Sequence, residues 1–276
     1  MPRIYSSGIL VEVDPSTLGE FRLSVPAVAE NVAVVRQALT GMTEALGIGP
    51  GVLADMKTAV SEACNNVVLH AYEDGGPVEV FTVARNGDVT VTVRDHGRGI
   101  KPEEADLDTE HDGVGLSLIT ALTADVEIDG ATGAGTEVRM RFVPDEDDDA
   151  HDPNVPQPGI GPLLAGVLGR TVAMLAARAN FSLDRLSDAQ LVSDAVAAHA
   201  LGHAADGPLR VAVDDGERHL EIWVGPLQTN GGRGVVDASD LPGVGLLLEQ
   251  LVDDVAVERD GDIETLVLRI AERRLR

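Results

Sequence analysis

The sequence predicts an α+β fold that is present twice. Three observations lead there. Apolar residues recur at helical steps in two successive stretches and then switch to alternation around a turn signal, so helices precede a hairpin. A tract of acids and prolines divides the chain near its middle. Beyond it the same succession of helices, hairpin and glycine-marked helix start returns, with short motifs that match the first half.

The elements follow in order. "FRLSV" alternates and reads as a strand, and residues 27–46 have helical periodicity. Gly49-Pro50-Gly51 breaks the chain. Leu53, Met56, Val60, Cys64, Val67 and Ala71 then recur at steps of three and four, which puts them on one apolar face of a second helix. "PVEVFTVAR" and "DVTVTVRD" flank Asn86-Gly87, a strong hairpin signal. A polar segment, 97–112, precedes "GVGLSLITALTA", which reads as a helix, and the strands "DVEID" and "TEVRMRF" close the first half.

Residues 144–162, "PDEDDDAHDPNVPQPGIGP", have no apolar periodicity. Like charges repel and proline blocks regular structure, so the tract reads as a linker. The expected organisation is a domain at 1–144, a linker at 145–162 and a second domain at 163–276. In the second half two helices (about 164–181 and 186–203) precede "PLRVAVD" and "HLEIWVG" around Asp215-Gly216. A polar segment, 226–242, leads into "GVGLLLEQLVDD", then "VAVER" and "TLVLRI". Ser61-Glu62-Ala63 lines up with Ser193-Asp194-Ala195, Gly113-Val114-Gly115-Leu116 with Gly243-Val244-Gly245-Leu246, and Thr136 with Thr265. The second half has no evident counterpart of the first N-terminal strand.

Composition narrows the function classes. The 276 residues suffice for two ordinary domains, and 44% hydrophobic content supports real cores, which Ala, Val and Leu must fill because aromatics are only 3%. A formal net charge of −25 argues against direct nucleic-acid binding and against an anionic membrane surface. Cys64 is the sole cysteine, so no intrachain disulfide or multi-cysteine metal site can form. The start "MPRIYSSGILVEV" lacks the apolar run of a signal peptide, and residues 162–181 are interrupted by Arg170 and Arg178. A cytoplasmic location is expected.

Four short features carry chemistry. Glu62, Asn66 and His70 recur every four residues and form a polar stripe turned away from the apolar face of the second helix. Asn is a poor helix former, so Asn65 and Asn66 in mid-helix need a reason. Asp95-His96-Gly97-Arg98-Gly99 follows a strand, where a carboxylate can point into a pocket while glycines let backbone approach a ligand. Gly113-Val114-Gly115 opens a helix, whose free amides and dipole favour phosphate. Gly133-Ala134-Gly135-Thr136 enters the last strand. Each has an ordinary structural explanation too: a solvated helix face, turn residues, a glycine-tolerant helix start, a hairpin turn.

Their order is more specific than any one of them. Glu-x-x-x-Asn on a helix, Asp-x-Gly-x-Gly after a strand, Gly-x-Gly at a helix start and Gly-Thr before a strand together resemble the Bergerat-type ATP-binding fold of gyrase and histidine kinases. "SEACNNVVLHAYEDGG" with "VTVRDHGRGI" is most similar to the serine kinases that act as bacterial anti-sigma factors, over residues 21–142. The resemblance implies a two-layer α/β sandwich, a mixed, mostly antiparallel sheet covered by helices on one face, present twice. It implies ATP and Mg²⁺ as cofactors. Asn66 would supply an oxygen to Mg²⁺, Glu62 would be the general base, and Asp95 would read adenine. Gly97 and Gly99 would let backbone close on the nucleotide, Gly113 and Gly115 would bring amides to the phosphates, and Thr136 would support the adenine end. Lys101 and Arg98 are further candidate contacts to the terminal phosphate.

The implied function is transfer of the ATP γ-phosphate to a serine of an antagonist protein, together with sequestration of a sigma factor. The alternative is an ATP-responsive protein-binding module without phosphotransfer. A fragment of a sensor histidine kinase or gyrase-like ATPase is a third class; the stretch before Phe21 is short for a dimerising histidine helix. One departure bears on turnover: the expected lid, residues 98–112, carries Glu103, Glu104, Asp106, Asp108, Glu110 and Asp112 against Arg98 and Lys101. The second half offers Ala198 where Asn66 stands, Gly225-Pro226 where Asp95 ends its strand, and Glu264 near the Gly135 position. It is therefore expected to be a nucleotide-free partner, in a homodimer or in intramolecular pairing with the first domain.

Overall fold

The computed structural model describes residues 8–85, 87–99, 113–131, 133–144, 159–241 and 245–272. The chain divides into two compact units, Gly19–Gln157 and a second made of Met1–Leu18 with Pro158–Arg276. Its first strand is β1 (Ile9–Val13). Next come β2 (Glu20–Pro26), α1 (Ala29–Leu46), α2 (Pro50–Asn66) and a π-helical turn (Val67–Ala71). The hairpin β3 (Pro77–Arg85) and β4 (Asp88–Arg94), then α3 (Gly113–Leu122), then β5 (Asp125–Ala131) and β6 (Gly135–Phe142) complete the first unit.

The strand order of this unit is β2-β3-β4-β6-β5, and every ladder within it is antiparallel. Asn86 lies outside the described residues, but Arg85 pairs with Asp88 and leaves a two-residue connection, as the hairpin signal requires. Alternation sorts the strands into two faces. Leu23, Val25, Val80, Val91, Val93 and Met140 are buried, and so are Val35, Leu39 and Met42 of α1 and Met56, Val60 and Cys64 of α2. The opposite face is polar: Arg22 lies 5.7 Å from the centre of the Phe81 ring, and Arg94 and Arg139 each pair with Glu137 at 2.8 Å. A shallow depression there includes Arg22, Phe81, Thr92 and Arg94 but none of the candidate site residues.

The second unit contains α4 (Ile160–Arg178), α5 (Leu183–His199) with a 3₁₀ turn (Ala200–His203), β7 (Leu209–Gly216) and β8 (His219–Leu227). It continues through α6 (Gly231–Ala238), the short pair β9 (Asp240–Leu241) and β10 (Gly245–Leu246), α7 (Leu247–Leu251), β11 (Asp254–Asp260) and β12 (Ile263–Ala271). The strand order is β1-β7-β8-β12-β11, again antiparallel throughout. Both units thus run outer strand, hairpin, last strand, penultimate strand. The strand that seemed missing from the second half is β1, with Ile9 opposite Val213, Val11 opposite Val211 and Val13 opposite Leu209. The boundary differs from the expected 1–144 for this reason: Ile9, Val11 and Val13 are buried in the second unit.

Three further differences have local causes. The polar segment 226–242 contains the eight-residue helix α6, with Val235 and Val236 fully buried. The glycine-led helix after it shrinks to the five residues of α7. And α4 is long and apolar enough, by length and composition, to cross a membrane despite its arginines. Half of its most apolar window is buried within the protein, where Leu164, Leu168 and Val172 pack in the core. Of the expected linker, 145–162, residues 145–158 lie outside the described set, while its last three residues already belong to α4, which begins at Ile160.

A buried guanidinium ties the second unit together. Arg185 is 2% exposed. Its Nε donates to the Ala271 carbonyl at 2.9 Å, and its Nη1 donates to the Leu251 carbonyl at 2.8 Å and to Asp188 Oδ2 at 2.9 Å. Its Nη2 pairs with Asp253, whose carboxylate also accepts from the Ala271 amide at 2.7 Å. Removing the guanidinium deletes four donated hydrogen bonds and empties a buried site, while the acceptors it leaves are half-buried or exposed. Arg185→Ala is expected to destabilise the second unit by about 2–3 kcal/mol. Urea unfolding followed by Trp223, the only tryptophan and a β8 residue, reads this directly; the exposed Arg233→Ala should unfold with the wild-type midpoint.

Candidate functional site

The site is organised by α2. Its apolar face is buried as the spacing requires, including Met56, Val60, Cys64, Val67 and Ala71. Burial pushes the Cys64 thiol up to about 12, so this cysteine is an inert core residue and not a nucleophile. Glu62 is half-buried, while Asn66 and His70 are exposed. After Asn66 the helix widens into the π turn, a feature often found at functional positions and invisible to the three-and-four spacing that predicts the helix.

Each end of the polar stripe touches a glycine motif. At the Glu62 end, a side chain on Gly115 would collide with the Glu62 carboxylate, so α3 approaches α2 with nothing but backbone. Gly113 opens α3. The lid, including Lys101 and its six acids, falls on residues outside the described set. At the other end, the Arg98 amide donates to the Ala71 carbonyl at 2.9 Å, and a side chain on Gly97 would overlap that same oxygen. Asn66 lies between these two contacts, one turn beyond Glu62.

Asp95 immediately follows β4 and is 3% exposed. Its Oδ1 accepts from the Gly97 amide at 2.7 Å and its Oδ2 from the Thr136 amide at 3.1 Å, while its own amide donates to the Thr136 carbonyl at 2.9 Å. An ionised carboxylate has about four acceptor positions, so two amides leave capacity for a ligand donor. Gly135, at φ +81, backs directly onto the Asp95 carbonyl, and Gly99, at φ +70, onto that of Ala131. The motifs Asp95–Gly99 and Gly133–Thr136 therefore meet backbone to backbone, which only glycine at these positions permits. Arg98 pairs with exposed Glu73 at 3.0 Å, and His96 with Glu79 at 3.3 Å. Sequence reasoning passed over Tyr72, which follows the π turn. Its hydroxyl accepts from the His96 amide and donates to the Pro77 carbonyl, both at 2.8 Å.

The second unit treats the corresponding place differently. β8 there ends in Gly225, Pro226 and Leu227 with no carboxylate. Glu264, 2% exposed, accepts from the Gly232 amide at 3.0 Å and pairs with Arg259 at 2.9 Å. Burial pushes this carboxyl up, but the Gly232 and Asn230 amides and the Arg259 charge outweigh it and hold the group below the usual carboxylate range. It caps α6 through the Gly232 amide, so the chain's own anion meets the start of that helix. Among the described residues no cluster of His, Cys, Asp or Glu is arranged to hold a metal on its own.

Comparisons with known proteins bear on the family of this chain. A family described as the histidine kinase-like ATPase domain matches residues 25–142. Serine-protein kinase RsbW of Bacillus thuringiensis (strain Al Hakam) is 33% identical over 122 residues, 40% of this chain and 76% of that protein. The protein of the same name from Bacillus mycoides (strain KBAB4) is 32% identical over the same shares. Among solved structures, the histidine kinase domain of the blue-light activated kinase from Erythrobacter litoralis EL346 is 26% identical, covering 33% of this chain and 44% of that one, with a TM-score of 0.29. With its glycine-spaced strand ends packed against the amide-bearing helix, the chain belongs to the histidine kinase-like ATPase family and is similar to its serine-protein kinases.

Proposed function

We propose that the first unit binds ATP with Mg²⁺ and transfers the γ-phosphate to a serine of a partner protein. The observation that carries this reading is the double contact of α2: Glu62 against Gly115 at one end, Ala71 against Gly97 at the other, with exposed Asn66 between. A phosphate chain spanning from the Asp95 loop to the start of α3 would pass that amide. Asp95, with acceptor capacity left over, would take the exocyclic amine of adenine. Thr136, hydrogen-bonded to it, would hold its orientation. Gly99 would allow close backbone approach beside it.

The donor set suits Mg²⁺ brought by the nucleotide. Mg²⁺ keeps several waters and takes one or two protein oxygens plus phosphates, which matches a single Asn66 oxygen and the absence of a carboxylate cage among the described residues. Bound there, the ion would neutralise charge on the phosphates. Glu62 would accept the serine proton as the new oxygen–phosphorus bond forms and the bond to the β-phosphate oxygen breaks, releasing ADP.

The protein partners follow from the resemblance: an antagonist protein that presents the serine, and a sigma factor that is sequestered. Both belong to the cytoplasm, which is where this reading puts the chain. The second unit is proposed to be nucleotide-free, since Glu264 already occupies the amides of α6. An ATP-responsive binding module without transfer is favoured by one feature, the six acids of residues 98–112, which repel a triphosphate.

Two measurements check the reading. Calorimetric titration with ATP and Mg²⁺ should give a single nucleotide per chain, and Asp95→Ala should weaken it about 10- to 100-fold, the worth of a hydrogen bond to a charged group. Equal affinity in the two proteins rejects Asp95 as the adenine reader. With a serine-bearing antagonist as acceptor, Glu62→Ala should slow labelled phosphate transfer about 10²- to 10⁴-fold while ATP still binds. ATP binding without transfer by the wild type would favour the binding module.

A further inference from the structure

The loop that carries Asp95 is held through its backbone by one outside side chain, in addition to the surface ion pairs that His96 and Arg98 make with Glu79 and Glu73. Its own turn is closed by Gly97 donating to Asp95, and Arg98 donates to the Ala71 carbonyl. The Arg98 carbonyl accepts from the Gly133 amide at 2.7 Å. All of these use backbone groups or Asp95 itself. The remaining anchor is the Tyr72 hydroxyl, which stands between two strands: it accepts from the amide of His96, next to Asp95, and donates to the carbonyl of Pro77, the first residue of β3.

The ring is fixed as firmly as the hydroxyl. It lies over Gly76, where any side chain would collide with it. Backbone direction helps, because Tyr72 leaves the π turn in an extended conformation (φ −125°, ψ 146°). The phenol also stays protonated: burial raises it, and the charges of Asp95 and Glu79 add to that against the opposing His96 amide. It therefore remains a donor to Pro77 at any physiological pH. The segment from Asn66 to Tyr72 thus connects two parts of the site, an amide at its start and a clamp on the Asp95 loop at its end.

We propose that Tyr72 is a positioning residue for base recognition: by holding the His96 amide to the start of β3 it sets where the Asp95 carboxylate stands, and so favours adenine over guanine. This rests on the ATP-binding reading above. Adenine offers an exocyclic amine to a carboxylate where guanine offers a carbonyl oxygen. Discrimination between them depends on Asp95 being held to within a fraction of an ångström. A loop freed from its clamp can retreat from guanine and lose its grip on adenine.

The test is calorimetric titration of the full chain with MgATP and with MgGTP, for wild type and Tyr72→Phe, which keeps the ring and deletes the hydroxyl. ATP is expected to weaken about tenfold, equivalent to the loss of one to two hydrogen bonds, with GTP binding unchanged, so the ratio of the two affinities falls. Gly76→Ala, which displaces the ring and keeps the hydroxyl, should lower the same ratio. A structural role alone would weaken both nucleotides by one factor, and that result overturns the proposal. So does an ATP affinity within twofold of wild type in both variants. If wild type itself binds no ATP, the broader reading fails first; wild-type binding with unaltered selectivity in both variants removes only the role of Tyr72.

Discussion

The carbonyl of Ala71 is the point on which the geometry of the first unit's candidate site depends. The last carbonyls of any helix lack partners within it, and burying one unpaired is costly. Here that group accepts from Arg98, so the end of α2 is bonded to the loop after β4. The approach is close enough that residue 97 can have no side chain. Because α2 is a rigid rod with its apolar face sunk in the core, fixing its end also fixes the height of its polar stripe above the sheet. Glu62, Asn66 and the Asp95 loop are then parts of one rigid frame and not three independent surface features.

That frame concentrates negative charge. Glu62 and Asp95 face the proposed ligand, the chain as a whole carries −25, and Arg98 is engaged by Glu73. Anions held against a triphosphate raise its free energy unless cations screen them, with effects that grow as water is excluded. Neutral donors are the cheaper solution: the first amides of α3, around Gly115, have no partner within their helix, whereas those of Gly97 and Thr136 already donate to Asp95. Such a design leaves affinity to backbone geometry, which explains why glycines rather than lysines mark each corner. It also makes the site sensitive to anything that shifts backbone, which is where the two anchors of the Asp95 loop, Ala71 and Tyr72, matter.

Much of this was readable from residue order. Periodicity places α1, α2 and both hairpins because burial on one face is a local, repeating constraint, and the core positions Met56, Val60 and Cys64 are buried as their spacing demands. The Asp-x-Gly-x-Gly stretch was legible because a strand must end before it. Other features depend on partners far along the chain. Nothing in "ILVEV" tells that β1 pairs with β7, since alternation fixes a strand's faces but not its neighbour. The stretch forming α6 contains three glycines, poor helix formers, and is held by the Glu264 carboxylate some thirty residues later. The π turn is hidden for another reason: Val60, Cys64, Val67 and Ala71 fit an α-helix equally well. The hydrogen bond of Tyr72 is hidden because its partner, the His96 amide, is 24 residues away in sequence.

The two units share strand order yet settle the same physical demand in opposite ways. A sheet whose hairpin and last strands end beside a helix start leaves amides pointing into a common space. Those amides must be met by water, by a ligand or by the protein itself. In the first unit the strand end has Gly135, packed backbone to backbone on Asp95, and Thr136, and Asp95 spends only part of its acceptor capacity. In the second, the residue at that strand end is Glu264, long enough to reach the first turn of α6 and paired at its other oxygen with Arg259. Its carboxyl is held below the usual carboxylate range because the amides and Arg259 favour the charged form more than burial disfavours it. A glutamate at this strand end therefore supplies the charge that the start of α6 would otherwise seek from outside the protein, whereas Gly135 and Thr136 bring only backbone to Asp95.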